Sequence, residues 1–283
     1  MKKAPIKYSL ALTLVVFFCD FTGPAVTQST NPHPVQSQCY INNQAFEAGE
    51  ELTYKIYYNW NFIWLSAGEV TFKVREVGAQ YHFSAVGKTY KSYEWFYKVR
   101  DYYDCYVDKQ SMLPVVSVRD IQEGKYTLYD RIQFDQEKRI ATSHRGNSLA
   151  EAKTDVYEMD GCMHDILSIF YFSRNIDFSG FAEGEHFPVK IFIDKEIFPL
   201  KVKYLGREED KKIKKEGRFN TIMFSPEVIA GRVFKKGSQM KVWVSDDDNR
   251  IPLQIESPVS VGSIKVVLKD YKNLRHELTA QTK

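Results

Sequence analysis

An all-β fold is what this sequence predicts: a large, predominantly antiparallel curled sheet, a β-sandwich or open barrel, with one embedded helix near residues 163–174. Three observations carry that expectation. Runs that alternate at period 2, rich in β-branched and aromatic residues, recur from Leu52 to the end of the chain. Turn signals separate them at gaps too short for the helix of a parallel crossover. One stretch alone, Met163–Arg174 (MHDILSIFYFSR), trades the period of two for a helical one.

Residues 1–25 read as a secretory signal peptide. Lys2, Lys3 and Lys7 are followed by an apolar run from Leu10 to Phe18 and by small residues at Gly23 and Ala25. The run is about half of what a bilayer-spanning helix needs, so no transmembrane segment is expected in the mature chain. Cys19 follows Phe18, where a lipid-modification site wants a small residue. Cleavage near Ala25 and an exported, periplasmic protein are the expectation. Residues 26–45, rich in Thr, Gln, Ser, Asn and Pro, read as a flexible leader. A single β-rich domain is expected over 46–274, with 275–283 as a C-terminal tail.

The first strand places Leu52, Tyr54, Ile56 and Tyr58 on one side and Thr53, Lys55 and Asn59 on the other. Similar runs predict strands near Gly68–Arg75, Tyr81–Lys88, Val99–Val107, Val115–Ile121 and Tyr126–Phe134. The second half adds His186–Ile193, Phe198–Leu205, Phe219–Phe224, Met240–Ser245, Ile251–Ser257 and Ser263–Tyr271. In the helix, Ile166, Ile169 and Phe170 share a face with Leu167 and Tyr171 beside them, a stripe wide enough to be covered on most sides. Asp160 or Asp165 can accept from the free N–H groups at its start. The run Arg207–Arg218 (REEDKKIKKEGR) mixes six basic and four acidic residues and reads as a solvated hairpin tip.

Charge excludes some function classes. The chain carries +3, of which residues 1–25 hold three lysines against Asp20, leaving +1 on the mature protein. Such balance gives no footprint for nucleic acid and no strong pull toward anionic lipid. Cys39, Cys105 and Cys162 survive cleavage, far apart and without C-x-x-C, so neither zinc nor a redox dithiol is indicated. One disulfide among the three is permitted, its pairing open.

No sequence-visible constellation builds a catalytic site. His164-Asp165 resembles the dipeptide of metal phosphohydrolases, but one helix cannot assemble the ligands; Asp165 as a cap with His164 at an exposed helix start is the reading preferred. Cys162 lacks a hydrolase signature and reads as structural or disulfide-bonded. Asp246-Asp247-Asp248-Asn249 fails the EF-hand pattern, with Ile251 sixth and Ser257 twelfth, and suits a hairpin turn. The G-x-S-x-G, P-loop, G-x-G-x-x-G and H-E-x-x-H patterns are missing. Aromatics are the surplus, at 14% of residues. Most read as core and cross-strand pairs. Trp60, Phe62, Trp64, Tyr93, Trp95 and Phe96 lie where alternation is interrupted and are assigned to loops. Of these, Trp60, Trp64, Trp95 and Phe96 are the expected mouth of a ligand cleft.

An ordered set of segments resembles a known family. Phe46-Glu47-Ala48-Gly49-Glu50-Glu51-Leu52-Thr53-Tyr54 opens it, followed by Ala67-Gly68-Glu69, Val99-Arg100-Asp101, Tyr106-Val107-Asp108 and Leu113-Pro114. Then come Asp165-Ile166-Leu167-Ser168 with Tyr171, Val242-Trp243-Val244-Ser245-Asp246-Asp247 closing on Arg250-Ile251-Pro252, and Val261-Gly262-Ser263. This order is similar to the domain of unknown function 3108 family, exported proteins of Gram-negative bacteria. The resemblance implies an envelope location and a β-rich body with one helix, and assigns no reaction. Its Gly-Glu, Asp-Asp and Arg-Ile-Pro positions read as turn and strand-end residues. The expectation is a non-catalytic envelope protein, without cofactor or metal, that binds an apolar or amphipathic ligand such as a lipid or lipidated peptide. An interaction module docking on an envelope protein partner is the alternative, and a glycan-active enzyme with carboxylates assembled by the fold is the third.

Overall fold

The computed structural model describes residues 39–60, 63–213, 216–228, 239–259 and 262–282, so the expected signal peptide (1–25) and most of the expected leader (26–45) lie outside it. The first half is a meander: β1 (Glu51–Trp60), β2 (Ile63–Val77), β3 (Gln80–Thr89), β4 (Val99–Asp108), β5 (Pro114–Glu123), β6 (Tyr126–Asp135), β7 (Ile140–Gly146) and β8 (Lys153–Glu158). Helix α1 (Ile166–Ser173) follows. A second meander completes the chain: β9 (His186–Ile193), β10 (Glu196–Ile213), β11 (Gly217–Pro226), β12 (Lys241–Ser245), β13 (Pro252–Pro258) and β14 (Ser263–Lys272). β1 pairs antiparallel with β14, so the halves join into one 14-stranded sheet with β8 and β9 at its edges.

The edges meet. Tyr157 of β8 packs on Phe192 of β9 with ring centroids 5.3 Å apart, and Lys195 pairs with Asp155 at 2.6 Å. Between them runs the chain that leaves β8. His164 makes a parallel bridge to Ile191, its N–H donating to Lys190 O while its carbonyl accepts from Phe192 N. Met159, Met163, Phe134, Ala141 and Phe192 fill the seam as a small apolar cluster of their own. The edge backbone that would otherwise invite pairing with another chain is thus partly occupied.

Helix α1 lies on the concave side. Asp165 caps it, accepting from Ser168 N at 2.9 Å while Ser168 Oγ accepts from Asp165 N at 2.9 Å, a capping box. Eight residues are too few for a helix to persist alone, so packing sustains it. Tyr171 stacks on Phe83 at 3.9 Å and meets Phe46 edge-on at 5.0 Å; Phe170, on the other side, stacks on Phe72 at 4.8 Å. The helix is shorter than 163–174, because Met163–Asp165 are drawn to β9. His164 is therefore 6% exposed, not at an exposed start.

Other expectations also shift. β7 and β8 were not foreseen, since the buried positions of β7 are small or polar (Ala141, Ser143) and β8 is an exposed edge. Trp60 and Trp64 belong to strands, not loops. Register moves from Ile56↔Gly68 to Tyr57↔Ser66, and this bulge breaks the alternation without ending the pairing. Phe62 and the side chain of Trp60 lie outside the described residues. Arg207–Arg218 is the far end of the β10–β11 hairpin, with more strand in it than expected, and its charges interlock: Arg207 with Asp246, Lys211 with Glu208, Arg218 with Asp210. Asp246–Asn249 is the expected hairpin turn, with Asp247 Oδ1 accepting from the backbone of Asn249 and Arg250.

Both ends of the domain reach further than the sequence reading. Cys39 is joined to Cys162 by a disulfide, and Ala45 is fully buried, so Cys39–Ala45 is held to the body. The C-terminal segment is docked as well. His276 N donates to Asn249 Oδ1, Ala280 N to Asp247 Oδ2 and Thr282 N to Arg218 O.

Candidate functional site

Between α1 and the sheet formed by β1, β2 and the second meander lies an apolar cavity of about 300 Å³. Ile169 and Phe170 of α1 form one wall, and Val242, Ile255 and Val266 stand opposite. Period-2 alternation explains that wall, since inward positions of these strands carry aliphatic side chains. The volume sits at the low end of ligand pockets, and the lining is apolar with few polar groups, as such pockets usually are.

Polar groups gather around the C-terminal end of α1. Arg174, 2% exposed, donates to Glu50 through Nη1 at 2.6 Å and Nη2 at 2.8 Å, and Glu50 is itself 1% exposed. The same guanidinium donates to Ala45 O at 3.2 Å and Asn249 O at 3.0 Å, and Phe46 and Tyr171 flank it with centroids at 5.5 and 5.6 Å. One side chain thus locks the helix to the N-terminal segment, β1 and the β12–β13 turn. Arg250 follows, donating from Nη1 to Arg174 O at 3.1 Å, and its backbone has a φ of 46°. Tyr54 also lines the cavity. Its hydroxyl is buried without a hydrogen-bond partner, and burial raises its pKa far above the usual phenol range.

A second polar layer lies inside the first meander. Arg119 of β5 and Arg145 of β7 both bind Asp130 of β6 and Asp194 of the β9–β10 turn, at 2.5 to 3.0 Å. All four side chains are less than a tenth exposed, so each charge is compensated where water cannot reach. Nearby, Asp101 is fully buried; burial first, and then Glu123, pushes its carboxyl up to about 8. Cys105, the free thiol, donates to Asp165 Oδ1 at 3.1 Å, and burial pushes its pKa well up, the opposite of what a nucleophile needs.

The aromatic candidates lie elsewhere. Trp95 is 84% exposed and Phe96 42% exposed in the β3–β4 loop, their rings 5.9 Å apart. Trp64 is exposed on β2 beneath Lys265, 5.0 Å from its centroid. None of these three lines the cavity. Glu50 and Arg250 were visible in Gly49-Glu50 and Arg250-Ile251-Pro252 but read as turn residues; burial makes one an ion-pair partner and puts the other on the cavity wall. No local signal announces Tyr54, one of many alternating aromatics.

An open antiparallel sheet curled around the one α-helix among the described residues, with an apolar chamber beside it, defines a β-barrel-like protein with an internal cavity. The chain belongs to DUF3108, a family described as proteins of unknown function, which it matches over residues 53–269. Among solved structures it is similar to a β-barrel-like protein of the domain of unknown function DUF1849 from Brucella abortus, with TM-score 0.54 and 8% identity, covering 82% of this chain and 100% of that one. That likeness concerns the fold. A chain described as "a putative lipoprotein" from Parabacteroides distasonis matches with TM-score 0.32 and 12% identity over 82% of this chain and 100% of its own. No curated relative matches the chain. No helix among the described residues is long and apolar enough to cross a membrane.

Proposed function

We propose that this is a non-catalytic, exported protein of the bacterial envelope that binds one apolar or amphipathic molecule, such as a lipid, in the chamber between α1 and the second meander. The observation that carries the reading is the apolar cavity of about 300 Å³ walled by Ile169, Phe170, Val242 and Val266. Export draws on the basic, apolar and small segments of residues 1–25, and the Cys39–Cys162 disulfide suits an oxidising compartment.

The test is native mass spectrometry of the protein purified from its own envelope fraction, with fluorescence of the neutral apolar probe N-phenyl-1-naphthylamine. The wild-type protein is expected to retain a lipid-sized adduct and enhance the probe. Val242→Trp, which fills the chamber, should do neither. Absence of both adduct and probe binding in the wild-type protein would sink the reading. Trp95→Ser should leave probe binding unchanged; a loss there would favour the exposed loop aromatics as the site instead.

A further inference from the structure

Resting on that reading, we infer that the chamber selects single-chain amphiphiles with an anionic oxygen head, such as fatty acids, and that Arg250 and the Tyr54 hydroxyl receive the head at the Arg174 end. Three observations converge there. Arg250 lines the cavity with one guanidinium nitrogen committed to Arg174 O, and no carboxylate among the described residues is within ion-pairing distance of it. Arg174, the other cation on the wall, is taken up by Glu50, Ala45 O and Asn249 O. Arg250 is thus the cation with donors to spare.

The backbone supplies the second argument. Arg250 adopts φ 46°, a left-handed conformation that glycine or asparagine takes more readily. Asp247 Oδ1 holds that backbone by accepting from Arg250 N at 3.2 Å. Among the described positive-φ non-glycine residues, Arg250 is the one whose side chain lines the cavity, which ties its backbone strain to that wall.

Tyr54 is the third. A phenol buried to 2% with no partner forfeits a hydrogen bond, and it stands on the cavity wall within the field of the Arg174–Glu50 pair. An accepting head at this end would satisfy it. Asp177, whose carboxyl is held low by Ser179 N–H and more weakly by Arg250, is exposed and marks the solvent side of the same cation. A chamber of this size takes one chain in preference to two.

The experiment is displacement of N-phenyl-1-naphthylamine by palmitate and by methyl palmitate, which share the chain and differ in the charge. In the wild-type protein palmitate is expected to displace the probe at about tenfold lower concentration than the ester. Arg250→Gln should erase that preference by weakening palmitate alone. Tyr54→Phe removes no existing hydrogen bond, so it should fold normally and weaken palmitate several-fold. Equal displacement by acid and ester in the wild-type protein overturns the head-group assignment while leaving the carrier reading intact. So does an unchanged palmitate preference in Tyr54→Phe together with Arg250→Gln. Failure of the probe to bind at all overturns the carrier reading, and this inference with it.

Discussion

Breaking the Glu50–Arg174 pair is the perturbation from which the fold should suffer most. Glu50→Gln keeps the shape of the side chain and removes its charge, leaving a guanidinium 2% exposed with only Ala45 O, Asn249 O and a neutral amide around it. Removing one partner of a buried pair typically costs about 3–5 kcal/mol, a large part of the roughly 5–15 kcal/mol that holds a domain together. Arg174→Met should cost a similar amount, because it strands the Glu50 carboxylate and two backbone carbonyls. The double variant Glu50→Gln/Arg174→Met strands no charge, so it should lose less than the sum of the singles, with a coupling on the order of 1–3 kcal/mol. Equilibrium urea unfolding of the mature chain measures all four proteins. Single-variant losses below about 1 kcal/mol, or strict additivity in the double, would refute the account of this residue as the lock of the helix.

Three further outcomes are expected. Replacing Cys39 and Cys162 by Ser opens a loop spanning 123 residues and should cost about 2–5 kcal/mol, read as a lower thermal midpoint that reductant no longer changes; an unaltered midpoint would contradict it. Gly68→Ala puts a Cβ 2.3 Å from Lys88 O at the β1–β2 bulge and should destabilise by about 1–3 kcal/mol in urea, whereas a neutral result would mean that β3 yields. Two buried groups should also make stability depend on pH, with opposite signs. Asp101, with a native pKa near 8 against an ordinary value of 3.8, binds more protons folded than unfolded, so its contribution is present at low pH and lost as pH rises through that interval. His164, pushed down to about 3 by burial, is neutral in the fold and destabilises as pH falls below 6.5. Asp101→Asn should remove a downward slope of up to about 1.4 kcal/mol per pH unit between about pH 4 and pH 8; an unchanged slope there would remove Asp101 as its cause.

Strands were legible where one face is greasy, as in β4, whose buried positions Val99, Tyr103, Cys105 and Val107 alternate cleanly. They were illegible where the inward face is polar by design. Arg119, Asp130, Ser143 and Arg145 point into the barrel, so β7 lost its pattern, and β8 presents charge and Val156 to solvent. The same cause hid the site. A cavity is a property of how inward faces fail to fill space, and no residue of Ile169, Val242 or Val266 differs locally from one in a filled core. Loop aromatics drew attention because they are conspicuous in a sequence, yet Trp95 and Phe96 lie outside the chamber.

The placement of β1 between β2 and β14 has a consequence for how the molecule comes into being. Glu51 finds its last partner in Lys272, so the earliest strand is completed by the latest. Ribosomes, and any pore the chain threads, deliver it from the amino end. Until β14 emerges, β1 keeps a bare ladder of donors and acceptors, and two separate ribbons wait to be zipped. Such distant pairing makes assembly slow. The unfinished chain therefore carries an open edge until its last strand arrives, and clipping the final twenty residues should leave the two ribbons unjoined.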